Sequence, residues 1–375
     1  MQYKDSCDII IENLTKEWYS SMQKDPHPTK WETPKYSKKQ IDRAGKIISS
    51  LNSLSLRDID ISLEDINNAT DILNNWRSSH AYPLQIIAGN LRRNNPNAIV
   101  VQRLKRLDSI INKLIRNENQ MSLYRMQDLG GCRVIVDSID QVYYSLNKYK
   151  NSRIRHILKK ENDYIQNPKD SGYRSYHMVY QFHSDDNDTY NKNMLIEIQF
   201  RTQLQHIWAT ALETMGIYTN TALKASMGDK AVLRFFTLVS SVFAKMENTP
   251  VCPDTPENYN ELISEIKKID KKLNIVSRLS ALSVAIKYAN EKYKKGNGYY
   301  LLQLNLAKKL LRVNRFSPNQ IELATNVYDK IESINNPNID AVLVSATSFD
   351  TLKAAYPNYF SDISQFVEIM RKILA

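Results

Sequence analysis

Three cations and a serine stand at short intervals in the segment RLKRLDSIINK, namely Arg103, Lys105, Ser109 and Lys113. The apolar spacing of residues 100–116 predicts an amphipathic helix. On a helix, intervals of four residues would place Lys105, Ser109 and Lys113 on one face. Such a face can hold a polyphosphate through charge-assisted hydrogen bonds, and an arginine beside it can stack on a base. An exposed basic helix face would give the same pattern.

One carboxylate accompanies each of two predicted strands. Asp128 precedes a Gly-Gly pair and the β-branched run CRVIV, and Glu197 lies in LIEIQF. Carboxylate oxygens suit Mg²⁺, and glycines allow a ligand close to the backbone. Alternation along the second strand places Glu197, Gln199 and Arg201 on one side, where buried charges require a metal or a substrate as partner. A Gly-Gly turn with a solvated aspartate is the alternative for the first strand.

A third group lies in residues 163–180, DYIQNPKDSGYRSYHMVY, where proline, serine and glycine predict a loop. The candidate side chains of this loop are Lys169, Tyr173, Arg174 and His177. A loop with cations and aromatic rings suits a nucleotide, because bases stack on tyrosine and phosphates contact lysine and arginine. Taken singly, Tyr173 and His177 are more often structural residues.

Hydrophobic periodicity predicts the elements that must position these groups. The region up to about residue 90 is predicted to be helical, with helices at 37–51 and 63–76 followed by the motif WRSSHAYPLQ. A mixed α/β core follows, with predicted strands at 132–136, 178–182 and 195–200. Its predicted helices span residues 141–149 and 204–215. The class is therefore α/β (α+β), with a mixed sheet flanked by helices.

The second half of the chain is predicted to hold two further regions. Residues 230–289 are predicted to be mainly helical. The end of the chain is predicted to form a small β-β-α-β-α unit, with strands at 299–305, 309–316 and 341–346. For a chain of 375 residues, these regions imply several domains. We expect the boundaries 1–90, 91–220, 221–295 and 296–375.

The positive charge of the chain is concentrated in one segment. The net charge is +11, and residues 91–160 alone contain fifteen Lys or Arg against five Asp or Glu. This clustering favours a polyanionic partner such as nucleotide phosphates or RNA.

The cysteines and the apolar pattern bound the class of protein. Cys7, Cys132 and Cys252 are odd in number and far apart, which argues against a disulfide framework and a zinc site. No stretch approaches the roughly 20 apolar residues of a membrane helix. The N-terminus lacks the cleavage pattern of a signal peptide. We therefore expect a cytoplasmic protein that does not contact a membrane.

Six motifs, in this order, resemble the synthetase domain of the RelA/SpoT alarmone synthetase family. They are RLK, SIINK, DLGGCR, DYIQNPK, GYRSYH and EIQFRT, beginning at residues 103, 109, 128, 163, 172 and 197. The resemblance covers about residues 100–215 and implies a nucleotidyltransferase-like fold. Ser171 stands where the family loop usually has asparagine, and Cys132 where an aliphatic residue is usual.

The resemblance implies an ATP site and a metal site. Arg103 and Arg133 would sandwich the adenine, and the ATP phosphates would contact Lys105, Ser109 and Lys113. The metal would be Mg²⁺, held by Asp128 and Glu197. These two carboxylates are the catalytic candidates, and Glu197 would also help to remove the proton of the acceptor hydroxyl. For the acceptor, Tyr173 would stack on the base, and its phosphates or ribose would be positioned by Lys169, Arg174, His177 and Gln199.

The implied enzyme is a GTP/GDP diphosphokinase. It would transfer the β,γ-pyrophosphate of ATP to the 3′-hydroxyl of GDP or GTP, giving (p)ppGpp and AMP for stringent-response signalling. Toxic relatives instead modify the 3′ end of tRNA, and others use adenosine nucleotides. An inactive nucleotide sensor is a further alternative, against which the presence of Asp128 and Glu197 counts.

The flanking regions carry weaker expectations. Bifunctional relatives have an N-terminal hydrolase with a metal set that includes a His-Asp pair, whereas here residues 1–90 contain only His27 and His80 and no such pair. We therefore expect no hydrolase, and both histidines are expected to be structural. The C-terminal unit is expected to regulate the enzyme or to form homo-oligomers. By analogy with fused toxin–antitoxin relatives, it would restrain the active site.

Overall fold

In the computed structural model, the described residues of the N-terminal part of the chain include three helices. The structure describes residues 31–50, 61–116, 121–219, 229–283, 287–289, 297–305, 310–334, 339–356 and 363–375. The helices are α1 (Lys38–Ser50), α2 (Leu63–Ser79) and α3 (Ala81–Asn94). Ser62 caps α2 through a capping box with Asp65. His27 and Cys7 lie outside the described residues.

Among the residues that the structure describes, nine strands form one mixed sheet, and the predicted fold class is confirmed. The five strands nearer the N-terminus are β1 (Ile99–Leu104), β2 (Gly130–Val136), β3 (Ile157–Asp163), β4 (Tyr176–Gln181) and β5 (Leu195–Thr202). The other four are β6 (Lys287–Ala289), β7 (Gly298–Asn305), β8 (Leu310–Phe316) and β9 (Ile339–Ala346). Their spatial order is β3-β4-β5-β2-β1-β9-β7-β8-β6. The strands of the C-terminal unit thus continue the sheet of the core.

The remaining described helices lie between and after these strands. They are α4 (Leu107–Ile115), α5 (Ile139–Lys150), α6 (Gln203–Thr219), α7 (Lys230–Met246), α8 (Tyr259–Leu273), α9 (Ile275–Ser283), α10 (Ile321–Ser333), α11 (Phe349–Ala355) and α12 (Ser364–Leu374). The predicted β-β-α-β-α order of the C-terminal unit corresponds to β7, β8, α10, β9 and α11.

The two faces of the sheet are covered by different parts of the chain. On one face, buried side chains of α1–α5 pack against Val134, Ile198 and Phe200. On the other face, α11 and Tyr356 pack against Val101 and Ile135. A further apolar cluster joins α6, α7 and α12. The C-terminal unit therefore covers part of the core sheet.

One predicted element needs correction, and one strand is absent from the prediction. Residues 100–116 are not one helix, because β1 ends at Leu104 and α4 begins at Leu107. The β-branched start Ile99-Val100-Val101 pairs with β2, and burial of both faces of β1 stabilises it as a strand. The edge strand β3 was not predicted, because the side chains at residues 157–161 are all exposed and give no alternating pattern.

Within the described residues, no helix combines the length and the apolar character that a membrane crossing needs. Cys132 and Cys252 are buried free thiols. His80 is fully buried, and its Nδ1 donates to the carbonyl oxygen of Trp76 at 2.6 Å. The desolvation of the ring lowers the pKa of His80 to about 4, so the ring is neutral at pH 7.

Candidate active site

Asp128 lies just before β2 and is held by two lysines. Lys105 Nζ contacts its Oδ2 at 2.8 Å, and Lys113 Nζ contacts its Oδ1 at 3.1 Å. Burial alone would raise the pKa of this carboxyl group, but the two ammonium groups outweigh burial and lower the pKa of Asp128 to about 2. The carboxylate is therefore ionised at neutral pH, with a compact cationic cradle around it. We call Lys105, Lys113 and Asp128 the phosphate cradle.

The cradle is built differently from the predicted helical row. Lys105 lies in the turn between β1 and α4, so it does not share a helix face with Ser109 and Lys113. Its backbone N–H donates to the carbonyl oxygen of Leu129 at 2.8 Å. Ser109 lies in the first turn of α4 and Lys113 in its last turn. The end of a strand and a helix therefore bring Lys105 and Lys113 together at Asp128.

Glu197 lies on β5 at the centre of a hydrogen-bonded row. His177 Nδ1 donates to its Oε1 at 3.0 Å, and Gln199 Nε2 donates to its Oε2 at 2.7 Å. A further hydrogen bond of 2.9 Å joins His177 Nε2 to the Tyr173 hydroxyl. Burial acts to raise the pKa of Glu197, but the interactions with His177 and the hydrogen bond from Gln199 together outweigh burial, so the pKa is lowered and the carboxylate is ionised.

The two carboxylates are close enough to interact. In the parallel pairing of β2 with β5, Gly131 stands opposite Glu197, and Asp128 lies three residues before Gly131. The negative charge of Asp128 acts to raise the pKa of Glu197. The described residues contain no group of three or more His, Cys, Asp or Glu that could hold a metal. Two carboxylates suit Mg²⁺, which commonly binds one or two carboxylates together with substrate phosphates and water.

Arg103 and Arg133 lie on the same face of the sheet as Glu197. The pairing of β1 with β2 places Val101 opposite Arg133 and Arg103 opposite Gly131. Arg201 of β5 joins them and is buried, and the positive charge of Arg133 helps burial to lower the pKa of Arg201. Three arginines on one face provide the positive surface that a nucleotide requires.

The C-terminal unit covers this arginine face. Arg133 Nη1 donates to the carbonyl oxygen of Ala355 at 3.1 Å, and its guanidinium carbon lies 5.8 Å from the ring centroid of Tyr356. Tyr356 is only 3% exposed. On the neighbouring side, His206 Nε2 donates to the carbonyl oxygen of Ala354 at 2.8 Å. Residues at the end of α11 therefore occupy the space beside Arg133.

Aromatic rings and a lysine gather on the acceptor side. Lys169 Nζ lies 4.5 Å from the ring centroid of Tyr164 and 5.7 Å from that of Tyr173. The His177 ring contacts both tyrosines edge-on. Lys169, Tyr173 and His177 are thus brought together as their motifs suggested. Tyr164 was not singled out from the sequence, although it stands inside the motif DYIQNPK.

Arg174, which is predicted to position phosphates or the acceptor ribose, makes its hydrogen bonds in this structure to other partners. Its guanidinium is buried and donates to Ser240 Oγ at 3.0 Å and to the carbonyl oxygen of Ile165 at 3.2 Å. These bonds use its donors to tie the loop to α7. The neighbouring Gly172 has a φ of +85°, and an added Cβ would lie 2.9 Å from the Trp208 ring. The motif GYRS therefore anchors the loop that presents Tyr173.

Residues 102–222 match the family model described as "Region found in RelA / SpoT proteins". Two GTP pyrophosphokinases of Bacillus subtilis, YwaC and YjbM, are each 32% identical, over 120 and 119 residues. Each alignment covers 31% of this chain, with 56% of YwaC and 54% of YjbM. The chain therefore spans about half the length of the curated relatives that it matches.

Solved structures of small alarmone synthetases are also similar. Synthetase 2 of Bacillus subtilis matches 48% of this chain and 94% of its own, with a TM-score of 0.38 and 23% identity. Synthetase 1 of the same organism, bound to its product pppGpp, matches 40% of this chain and 73% of its own, with a TM-score of 0.33 and 26% identity.

Proposed function

We propose that this chain is a RelA/SpoT-type synthetase that transfers the β,γ-pyrophosphate of ATP to the 3′-hydroxyl of GDP or GTP, in keeping with its similarity to GTP pyrophosphokinases. The observation that carries the proposal is the juxtaposition of the phosphate cradle with Glu197. Both carboxylates are ionised at neutral pH, and cations surround one of them. Phosphoryl-transfer sites require this combination, because their catalysis depends mainly on positioning and charge neutralisation.

Different residues carry out different parts of the proposed reaction. The 3′-oxygen attacks the β-phosphorus, the bond to the α,β-bridging oxygen breaks, and AMP leaves with that oxygen. Glu197 accepts the proton of the hydroxyl group, and His177 and Gln199 hold its carboxylate in place. Lys105, Lys113 and Ser109 bind the phosphates of ATP.

Mg²⁺ is the cofactor that Asp128 and Glu197 would hold. When bound, it would neutralise the charge of the transferred phosphates. Lys105 and Lys113 now contact both oxygens of Asp128, so in the proposed complex their ammonium groups turn towards the ATP phosphates. The acceptor base stacks on Tyr173, and Lys169 lies beside that ring to meet the acceptor phosphates.

The C-terminal unit is proposed to restrain this activity. The adenine of ATP would be sandwiched between Arg103 and Arg133, but Ala355 and Tyr356 now contact Arg133. ATP would then have to compete with the end of α11 for Arg133, which lowers its apparent affinity by the fraction of molecules in the covered state.

The 3′ end of tRNA is the second candidate acceptor. The edge strand β3 pairs with the strand that carries His177, and it exposes Lys159 and Lys160 to solvent. The exposed Arg153 lies just before it. A basic edge next to the acceptor side favours a nucleic-acid backbone.

A labelled-phosphate assay tests both candidates. The protein is incubated with γ-³²P-ATP, Mg²⁺ and one acceptor at a time, either GDP, GTP or deacylated tRNA. We expect label on the guanosine nucleotide and release of AMP in equal amount. Label on tRNA alone would show that tRNA, and not a guanosine nucleotide, is the acceptor. Absence of transfer to every acceptor, with ATP still bound, would identify a nucleotide sensor.

A further inference from the structure

Arg77, in the motif WRSSHAYPLQ, is a buried charge that the proposed reaction does not use. Its side chain is 1% exposed and lies on α2, outside the matched family region. A buried guanidinium is unfavourable unless its donors are paired. The identity of its partners therefore indicates what this arginine holds in place.

The first partner of Arg77 is the backbone of the phosphate cradle. Arg77 Nε donates to the carbonyl oxygen of Lys105 at 2.7 Å. The backbone N–H of Lys105 donates to the carbonyl oxygen of Leu129, the residue after Asp128. The backbone of Lys105 is thus fixed on both sides, and its ammonium group reaches Asp128 from this fixed position.

The other partners of Arg77 come from the C-terminal unit. Nη1 donates to Asp329 Oδ1 at 2.7 Å, and Nη2 forms an ion pair with Glu332 Oε2 at 2.9 Å. The guanidinium also lies 4.8 Å from the ring centroid of Tyr328. All three partners lie on α10. This helix therefore fixes the guanidinium of Arg77, which in turn binds the backbone of Lys105.

Glu332 makes a second link to the cradle. Its Oε1 accepts from the backbone N–H of Leu107, the first residue of α4, at 3.1 Å. A carboxylate at this place is favourable, because the first N–H groups of a helix lack partners within the helix. Since α4 carries Lys113, one side chain of the C-terminal unit supports both lysines of the cradle.

We propose that Arg77 is a positioning residue for ATP phosphates, and that Asp329 and Glu332 of α10 make the phosphate cradle depend on the docked C-terminal unit. The inference rests on the proposed function only in naming ATP as the ligand of the cradle. It assigns the C-terminal unit a supporting role at one end of the site, while Tyr356 covers the other end. Deletion of the whole unit would combine the two effects, so single substitutions are needed to separate them.

The test measures the affinity for α,β-methylene-ATP with Mg²⁺ by calorimetry in the full chain. Arg77→Lys keeps the charge but loses the fork of donors, and we expect about tenfold weaker binding. Glu332→Gln keeps the shape of the side chain and removes its charge, with an expected loss of about threefold or more. Glu322→Gln is the matched control on the same helix, because Glu322 is exposed, and it should bind as the wild type does.

A double-mutant cycle separates positioning from general destabilisation. If Arg77 acts through Lys105, Arg77→Lys should weaken binding less than about twofold in a Lys105→Met background. Melting temperatures of all variants are measured in parallel. Unchanged affinity in both Arg77→Lys and Glu332→Gln, or the same loss with and without Lys105, would overturn the inference.

The outcome is distinguishable from failure of the proposed function. Weakened analogue binding in a protein that transfers no pyrophosphate would leave the inference standing and remove the proposed reaction. Normal pyrophosphate transfer, together with unchanged analogue binding in the variants, would leave the proposed reaction standing and remove the inference about Arg77.

Discussion

Arg133 and Ala355 are joined by a hydrogen bond of 3.1 Å across 222 positions of sequence. The bond brings the Tyr356 ring to the guanidinium that is proposed to stack on adenine. The same chain therefore contains the nucleotide site and a segment that occupies part of it.

Tyr356→Ala should increase the affinity for ATP. Loss of the ring removes the group that competes with adenine for Arg133, so we expect about threefold to tenfold tighter binding of α,β-methylene-ATP and a lower KM for ATP. Binding is measured by calorimetry, and KM from initial rates of AMP release.

Tyr356→Phe is the control, because it keeps the ring and should bind like the wild type. Truncation of a buried aromatic side chain lowers stability by about 3–5 kcal/mol, so the melting temperature of Tyr356→Ala must be reported with its affinity. Equal or weaker binding by a folded Tyr356→Ala protein would contradict the proposed restraint.

Glu197→Gln should abolish transfer without unfolding the protein. The amide cannot accept the hydroxyl proton, and we expect the rate to fall by at least about 100-fold. The rate is measured as AMP release in the presence of the acceptor. Glu257→Gln, at an exposed acid far along the chain, should leave the rate unchanged. A Glu197→Gln enzyme with substantial activity would show that another group removes the proton.

Arg174→Lys should affect stability and not acceptor binding. Arg174 donates to the Ser240 hydroxyl and to the backbone carbonyl of Ile165, and a single ammonium group cannot reach both. We therefore expect the free energy of unfolding to fall by about 2 kcal/mol or more.

Lys169 is exposed, so the opposite result is expected for Lys169→Met: a higher acceptor KM with little change in stability. Urea unfolding and acceptor titrations measure the two effects. A raised acceptor KM in Arg174→Lys would restore its predicted role.

His80 should make the protein less stable as the pH falls below about 6.5. The unfolded chain binds a proton near the ordinary pKa of 6.5, whereas the folded ring has its pKa lowered to about 4. The stability that His80 provides is therefore fully present above pH 6.5 and is lost as the pH falls towards 4. Between pH 7 and pH 5 the loss is about 2 kcal/mol.

The comparison protein for this pH effect is His80→Asn, whose amide nitrogen can still donate to the carbonyl of Trp76. Urea unfolding at several pH values should show a shallower decline in His80→Asn than in the wild type. Parallel pH curves for the two proteins would contradict the assignment.

The sequence motifs predicted several of the side chains that the structure brings together at the candidate site, because motifs record residue types. Asp128, Glu197 and the lysines were identified by their motifs, and β2 and β5 by their apolar runs. The helical row was wrong at Lys105, because a pattern that fits 3.6 residues per turn was extended back into β1. Pairing with β2 and β9 decides the conformation of β1, and these partners are distant in sequence.

Three other features depend on contacts that no local pattern records. The exposed strand β3 is defined only by its hydrogen bonds to β4. Arg77 lies in the motif WRSSHAYPLQ, whose residue types alone do not indicate a reaction. Its partners Asp329 and Glu332 are about 250 residues away in sequence. The position of Tyr356 beside Arg133 is equally non-local.

Asp128 and Glu197 are proposed to share one divalent ion, and the rest of the proposed mechanism depends on this. Crystals grown with Mn²⁺ and α,β-methylene-ATP, with data collected at the manganese absorption edge, test it most directly. We predict one anomalous peak about 2.1 Å from an oxygen of each carboxylate, with ATP phosphates completing its shell. A peak bound to neither carboxylate, or the two carboxylates on opposite sides of the bound nucleotide, would contradict the account.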